Sequence, residues 1–313
     1  MTAQPPAQRQ LAMVDLAALL FLGAVWGAVF LFMRIAAPEV GPVWASEFRL
    51  AIGAAVLVAF AGRSTLSAVR GRLISFLIVG ALFSAIPFTL ISYATVMLPA
   101  GFTALLNAAT PLFTAMIGVA FMGQRIGWRI AAGLAVGMVA VVVLVGFSPL
   151  EPGITTILAV AAGLGAPASY ALAGNYVRAR MTGVQPTELA TGMVTAGAFL
   201  VLPVALLTGA PGTPAIDGVI SLVAVGILST AVAWPIFFRV LRRTTPTAAS
   251  TVTFIVPAFA LTWGSMLLAE PVGVGLVVGF GLILVSLILV LGIGPRVLPP
   301  VLIRAADRVR ATA

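Results

Sequence analysis

Five long apolar segments occur twice in this chain, and the second set repeats the first at a nearly constant spacing. Adding 144 to the residue number takes Arg34 to Arg178, and adding 146 takes Pro111 to Pro257. A unit of five membrane-crossing helices has an odd number of crossings, so two successive copies enter the bilayer in opposite orientations. Inverted repeats of this kind are typical of secondary transporters, whose substrate site lies between the repeats. The repeat therefore predicts a transport function.

The composition indicates that these segments lie in a membrane. Of the 313 residues, 61% are hydrophobic and only 8% are charged, whereas about a quarter of the residues in a soluble domain are charged. An apolar run of about 20 residues is long enough to cross a hydrocarbon core about 30 Å thick. We therefore predict an all-α membrane protein with ten transmembrane helices, arranged as two inverted five-helix repeats.

The helix boundaries follow the apolar runs and the proline or aspartate residues that precede several of them. The predicted helices are Asp15–Ile35, Pro42–Ala61, Leu73–Tyr93, Pro99–Met122, Gly127–Gly146, Ile154–Val177, Pro186–Thr208, Asp217–Leu241, Thr244–Leu268 and Pro271–Ile293. The predicted organisation is a cytoplasmic tail at 1–10, repeat one at 11–148, repeat two at 149–294 and a basic cytoplasmic tail at 295–313.

Arginine residues are concentrated on one set of alternating connections, and acidic residues on the other. The basic set holds Arg63, Arg70, Arg72, Arg125, Arg129, Arg178, Arg180, Arg242 and Arg243, and the opposite set holds Glu39, Glu151, Asp217 and Glu270. Because basic connections remain in the cytoplasm, we expect both termini there. The formal charge of +9 is therefore attributed to loops facing the cytoplasm, and not to binding of nucleic acid.

Several kinds of chemistry are excluded by the residue types present. The chain contains no cysteine and no histidine, which removes thiolate catalysis, histidine-containing triads and metal sites of the His/Cys type. No pair of carboxylates in the predicted helices is spaced for acid–base catalysis. We therefore expect a protein that is not an enzyme and that needs neither a cofactor nor a metal.

Charged residues inside lipid are expensive and indicate function or pairing. Glu47 and Arg49 lie within the second predicted helix, and Arg34 lies near the outer end of the first. One interpretation is a neutral Arg34–Glu47 pair that holds the two helices together. The others are an outer gate or carboxylate anchor at Arg34 or Arg49, and a proton-coupling role for Glu47. No acidic residue lies at a helix midpoint, which disfavours exchange of protons for cationic drugs.

Two repeat-related prolines, Pro111 and Pro257, lie within the fourth and ninth predicted helices. A proline inside a helix leaves the carbonyl four residues earlier without its usual partner, and here those residues are Asn107 and Thr253. Free carbonyls at membrane depth must face protein or a water-lined cavity. We expect both helices to bend and act as hinges beside a cavity, although a kink used only for packing is the alternative.

Polar and aromatic side chains also recur near the middle of the predicted helices. Indole and phenol groups favour the membrane interfaces, so their presence at mid-depth favours a cavity wall over a lipid-facing surface. Core packing is the alternative for each residue taken alone. The predicted substrate-binding set is Trp26, Phe30, Ser84, Phe88, Asn107, Thr110, Tyr170, Trp234, Thr253 and Trp263.

These residues and their order resemble the repeat of the drug/metabolite transporter superfamily, in its ten-helix, two-repeat EamA-type branch. The matching features are Trp26-Gly27, Phe30, Arg34, Pro42, Arg49 and Pro111, then Gly123-Gln124-Arg125, and Ala269-Glu270 at the end of the second copy. The family usually has Gly-Glu at both closing positions, so Gln124 and Ala269 are departures. In length and layout the chain resembles amino-acid exporters of the YddG type.

The resemblance implies a carrier in the bacterial inner membrane with a central cavity lined by helices one, three, four, six, eight and nine. We predict a monomeric secondary transporter that exports small metabolites, with neutral or aromatic amino acids favoured, by alternating access. A multidrug or cationic-compound efflux carrier is one alternative, and a nucleotide-sugar or triose-phosphate carrier is another. A membrane scaffold or lipid-modifying enzyme is the alternative of a different class. Without a central carboxylate, facilitated diffusion fits as well as proton coupling.

Overall fold

A computed structural model describes residues 13–122, 127–146, 153–243 and 252–291, and throughout these ranges the regular structure is helical. The predicted tails, the link between the repeats and the Gly123-Gln124-Arg125 motif lie outside the described residues. The helices are α1 (Met13–Val40), α2 (Pro42–Phe60), α3 (Arg63–Gly71), α4 (Leu73–Met97), α5 (Ala100–Asn107), α6 (Thr110–Met122), α7 (Trp128–Gly146), α8 (Ile154–Arg180), α9 (Pro186–Leu207), α10 (Ile216–Arg243), α11 (Val252–Leu268) and α12 (Val274–Leu291).

Each of the ten predicted membrane segments is matched in the structure by a helix or, for the fourth segment, by the pair α5 and α6. Seven spans in the described ranges are long and apolar enough to cross a bilayer, namely α1, α2, α4, Ala100–Gly118 across α5 and α6, α8, α9 and α10. The shorter apolar helices α7, α11 and α12 occupy the places of the fifth, ninth and tenth predicted spans. The all-helical membrane fold is confirmed, and ten complete crossings remain a prediction.

Two helix boundaries and one additional helix illustrate how the structure differs from the sequence prediction. Helix α1 continues to Val40 through Pro38, because a proline near a helix end loses only one hydrogen bond. Helix α12 begins at Val274, three residues after Pro271. Helix α3 is not predicted from the apolar pattern, since it is short, carries arginine at Arg63 and Arg70, and buries none of its residues.

The packing of the helices follows the repeat. Helix α1 packs against α11, and its counterpart α8 packs against α5 and α6, the counterparts of α11. Helices α2 and α9 pack against each other, as do α7 and α12. Each of these contacts maps onto an equivalent contact when the two copies are exchanged, so the structure has the pseudo-twofold arrangement of two repeats.

Four repeat-related glycines allow close crossings of α2 with α10 and of α4 with α9. A Cβ on Gly53 of α2 would lie 3.2 Å from the carbonyl oxygen of Gly226 on α10. In the equivalent crossing, a Cβ on Gly80 of α4 would lie 2.9 Å from the backbone nitrogen of Gly197 on α9. Small residues allow helix backbones to approach in membranes. Gly53 and Gly226 in one crossing correspond in the repeat to Gly197 and Gly80 in the other. The two copies therefore use equivalent glycines to pack α4 and α10 closely against their neighbours.

Candidate functional site

An aromatic cluster lies where α1, α4, α8 and α10 meet. The ring centroid of Trp234 lies 5.0 Å from that of Trp26, 5.4 Å from that of Phe83 and 6.5 Å from that of Tyr170. Phe237 lies 5.2 Å from Trp26. Trp26, Phe83, Tyr170 and Phe237 each keep partial exposure although they pack between helices of both repeats. We call Trp26, Phe83, Tyr170, Trp234 and Phe237 the aromatic cluster.

Three members of the aromatic cluster, Trp26, Tyr170 and Trp234, are predicted site residues, and the structure brings them together. Phe83 and Phe237 are not predicted. A phenylalanine within an apolar run has no feature that separates a cavity wall from a lipid-facing or core position, so the sequence offers no signal for them. Their place in the cluster depends on the helix rotation that packing selects.

Both central helices contain π-helical turns next to the aromatic cluster, at Ala81–Ala85 in α4 and Val225–Val232 in α10. In α4, the amide of Ile86 donates to the carbonyl of Ala81, five residues earlier. Pro87 follows and has no N–H for the next carbonyl in this register, that of Leu82. The hydroxyl of Ser169 on α8 donates to that carbonyl instead, at 2.7 Å. A side chain from the second repeat thus completes a helix of the first.

The second π-helical turn is held in a similar way by the first repeat. The indole Nε1 of Trp26 donates to the carbonyl of Ser229 at 3.1 Å, and the hydroxyl of Ser229 donates to the carbonyl of Val25 at 3.3 Å. Turns of this kind are frequent at functional sites because they leave backbone groups outside the regular ladder. The paired turns therefore mark the centre of the molecule as irregular in both copies.

Buried polar atoms without a partner also cluster on predicted site residues. In the described part of the chain these atoms are Glu47 Oε2, Ser84 Oγ, Asn107 Oδ1 and Trp234 Nε1. Leaving such a group unpaired costs about 1–3 kcal/mol, so each is a candidate for a partner that arrives with a ligand. Ser84 and Trp234 adjoin or belong to the aromatic cluster, since Ser84 follows Phe83 on α4.

Arg49 lies between α2, α4 and α10 and is only 3% exposed. Its guanidinium carbon lies 3.5 Å from the ring centroid of Phe88, and its Nε donates to the Thr230 hydroxyl at 3.0 Å. The Thr230 hydroxyl in turn donates to the carbonyl of Val225 at 3.0 Å. Within the described residues, no acidic side chain forms an ion pair with Arg49. The site therefore contains an uncompensated cation.

The predicted pairing of Arg34 with Glu47 is wrong. Arg34 instead donates to the carbonyls of Thr95 and Val96, and its Nε lies 3.9 Å from Glu270 Oε1. The last turn of α4 supplies those carbonyls, which carry the partial negative charge of a helix C-terminus and attract the guanidinium. Glu47 is 5% exposed and forms no ion pair among the described residues.

Glu270 completes this contact, which we call the Arg34–Glu270 clamp. Both oxygens of Glu270 accept from the amide of Ala100 at 3.0 Å, at the first residue of α5. A Cβ on Gly264 would lie 2.5 Å from Glu270 Oε2, so the glycine makes room for the carboxylate. Ala269 has a φ of +52°, a backbone conformation that favours glycine. The clamp connects α1, α4, α5 and the α11–α12 connection.

The two predicted hinges differ in the structure. In the first copy the helix ends at Asn107 and resumes at Thr110, and the Thr110 hydroxyl donates to the Asn107 carbonyl at 2.8 Å. In the second copy, α11 continues through Pro257. The break next to Pro111 therefore has no matching break at Pro257 within the described residues of α11.

The remaining predicted site residues lie outside the aromatic cluster. Phe30 is buried in an apolar core built from residues of α1, α4, α5, α8, α10 and α11, and Thr253 lies in the first turn of α11. Trp263 donates to the carbonyl of Ala24 at 3.1 Å and stacks on Phe259. Packing between α1 and α11 accounts for the position of Trp263, and a substrate-binding role for these residues stays a prediction.

A separate cavity of about 250 Å³ lies between α3, the start of α4 and the α8–α9 turn. Its walls include Arg72, Phe76 and Glu188. It is at the arginine-rich end of the molecule and includes none of the predicted site residues. In the portions of the chain that the structure describes, no group of three or more acidic residues is arranged to hold a metal ion.

The profile of the EamA-like transporter family matches residues 15–146 and again residues 157–292. The chain belongs to the EamA-like transporter family. Its two matches coincide with the two repeats, so this member of the drug/metabolite transporter superfamily is a multi-pass membrane transporter. A transporter of this family acts on a small molecule and lies in the lipid bilayer.

Two relatives are distant in sequence but match most of the chain. The Bacillus subtilis (strain 168) protein named uncharacterized transporter YoaV is 23% identical over 259 residues, covering 82% of this chain and 89% of the relative. A probable terminal-alkyne amino-acid exporter of Streptantibioticus cattleyicolor is 26% identical over 259 residues, covering 81% and 85%. A solved crystal structure superposes with a TM-score of 0.63 at 17% identity, covering 88% of this chain and 96% of the other, which supports the fold.

Proposed function

We propose that this EamA-like transporter exports small metabolites, with neutral or aromatic amino acids as its substrates. The observation that carries the proposal is the aromatic cluster, in which rings from both repeats meet next to the unpaired Ser84 hydroxyl and Trp234 N–H. Aromatic faces bind apolar and aromatic groups, and the unpaired groups supply polar contacts. A homologue named as a probable amino-acid exporter supports the same substrate class.

The proposed mechanism is alternating access of this central site. One bundle of helices rocks against its repeat mate, and the Arg34–Glu270 clamp closes the outer end when it forms. The break between Asn107 and Thr110 and the π-helical turns of α4 and α10 are the places where the helices bend. Catalysis is not part of the proposed function, because the aromatic cluster supplies contacts and no nucleophile.

The proposed location is the bacterial inner membrane, with the protein as a monomer and both termini in the cytoplasm. The arginine-rich connections support this orientation. Each repeat already finds its partner within the chain, so the fold needs no second copy to bury the α2–α9 and α7–α12 contacts.

The test is flux through the purified protein in proteoliposomes, with a panel of labelled amino acids and with or without a pH gradient. Wild-type protein should accelerate the flux of aromatic and large neutral amino acids. Trp26→Ala should reduce that flux about tenfold, and the matched control Trp128→Ala should not, because Trp128 is 76% exposed. Flux of none of the panel would overturn the proposal, and equal flux in both variants would exclude the aromatic cluster as the site.

A cationic-compound efflux carrier is the second candidate, since Glu47 is a buried carboxylate with an unpaired oxygen. It predicts flux of tetraphenylphosphonium and loss of that flux in Glu47→Gln. A membrane scaffold predicts no flux of any solute in either experiment. The same proteoliposomes therefore separate the three functions.

A further inference from the structure

Arg49 holds a charge that the described residues do not balance. Charged side chains at membrane depth pair with one another or mark a substrate pathway. The ion pairs found in the described ranges join Arg34 to Glu270 and Arg243 to Asp15. Glu47 is two residues away on the same helix, and residues two apart do not share a helix face. The guanidinium therefore lacks an anion.

The neighbours of Arg49 orient the guanidinium without neutralising it. The Phe88 ring supports one face at 3.5 Å, as in other cation–π contacts, and the Thr230 hydroxyl binds Nε. This is its single hydrogen bond among the described residues. A planar guanidinium that is fixed at one edge can still present its remaining N–H groups to a carboxylate.

The unpaired donors of the aromatic cluster lie on the same helices that hold Arg49. Ser84 precedes Phe88 by four residues on α4, and Trp234 follows Thr230 by four residues on α10. Phe88 and Thr230 contact Arg49. Ser84 and Trp234 adjoin or belong to the aromatic cluster, so the same short segments of α4 and α10 carry both groups of residues. The site thus combines one cation, two further donors and an aromatic wall.

We infer that Arg49 binds the carboxylate of the transported molecule, and that the substrate class is a small carboxylate with an apolar or aromatic side chain. This inference rests on the proposed function and narrows its substrate. A bound carboxylate neutralises the buried guanidinium through charge-assisted hydrogen bonds. An amine or an ester of the same size leaves the cation unbalanced, and a cationic amine is repelled. Arg34 is unsuited to this role because the clamp already occupies it.

The first experiment uses wild-type protein alone. Four probes share one side chain: phenylalanine, 3-phenylpropanoate, phenylalanine methyl ester and phenethylamine. Their binding is measured by thermal stabilisation of the purified full-length chain. Phenylalanine and 3-phenylpropanoate should bind roughly 10- to 100-fold more tightly than the ester or the amine, since a hydrogen bond to a charged group contributes about that factor. Equal binding of the ester and the acid would overturn the inference.

The second experiment uses variants of Arg49. Arg49→Gln should weaken binding of 3-phenylpropanoate roughly 10- to 100-fold while leaving the ester unchanged, and Arg49→Lys should restore part of the preference for the acid. Arg239→Gln, at an exposed position of α10, is the matched control. A retained acid preference in Arg49→Gln overturns the inference. The absence of amino-acid flux in proteoliposomes would overturn the proposed function. The role of Arg49 is tested separately, by the preference for the acid in the binding measurement.

Discussion

Arg34 lies in α1 and Arg49 lies in α2, and the surroundings of these two arginines differ. Arg34 binds two carbonyls at the end of α4 and lies beside Glu270. Arg49 is almost completely buried and has an aromatic ring and a hydroxyl as its neighbours. The comparison separates a charge used to hold helices together from a charge left available to a ligand.

We therefore expect Arg34 to contribute mainly to stability and Arg49 mainly to transport. An ion pair with good helix-terminal partners stabilises the fold, and its loss exposes unpaired groups. A buried cation without an anion costs free energy in the empty protein. This cost is offset when the substrate binds, if the transported molecule supplies the anion that Arg49 lacks.

The largest expected effect comes from Arg49→Met. Transport of aromatic amino acids should fall roughly 100-fold, because the carboxylate loses its cation. The free energy of unfolding should stay the same or rise, since an apolar side chain replaces an unbalanced buried charge. Flux in proteoliposomes and thermal unfolding in detergent measure the two quantities. A loss of stability with unchanged flux would reverse the assignment of Arg49.

Arg34→Met should reduce stability more than it reduces transport. The free energy of unfolding should fall by about 2 kcal/mol, because two carbonyls and the Glu270 carboxylate lose their partner, with a discount for the partial exposure of Arg34. Flux per folded molecule should fall less than in Arg49→Met.

A double-mutant cycle sharpens this result. Arg34 and Glu270 should show a coupling energy of about 0.5–1 kcal/mol, and Arg34 and Glu47 should show a coupling near zero. Coupling to Glu47 that equals the coupling to Glu270 would restore the pair predicted from the sequence and contradict the clamp.

The smallest expected effect is at Ala269, next to the clamp. Its positive φ of +52° costs a residue with a Cβ about 1 kcal/mol more than glycine. Ala269→Gly should therefore raise the free energy of unfolding by about 0.5–1 kcal/mol in thermal or denaturant unfolding. Because no side-chain contact of Arg34 or Glu270 changes, the Arg34–Glu270 coupling should stay the same. A decrease in stability would show that the left-handed backbone is not strained.

The sequence prediction succeeded where periodicity and composition carry the information. The spacing between the copies predicts the two-repeat helical fold, and mid-depth indole and phenol groups predict that Trp26, Tyr170 and Trp234 belong together. It was wrong about the partner of Arg34. Proximity along two neighbouring helices does not determine which way a long side chain points, and the α4 terminus and Glu270 are distant in sequence.

The π-helical turns show the same limit in the backbone. Pro87 and Pro235 are visible in the sequence, but the register shift that precedes each proline depends on a donor from the other repeat, Ser169 or Trp26. No local pattern contains that donor. The repeat-related prolines show a further limit, because the same residue type accompanies a helix break at Pro111 and lies inside the continuous helix α11 at Pro257.

The sequence by itself determined that the chain lies in lipid, which segments form helices and that the fold is duplicated. Hydrophobicity and spacing carry this information in short stretches of residues. Only the tertiary structure decided which arginine is paired and which is left without an anion. That choice depends on the rotation of packed helices, and a rotation of a fraction of a turn exchanges a carboxylate for an aromatic ring. Charge balance inside this protein is therefore a property of the assembled helices.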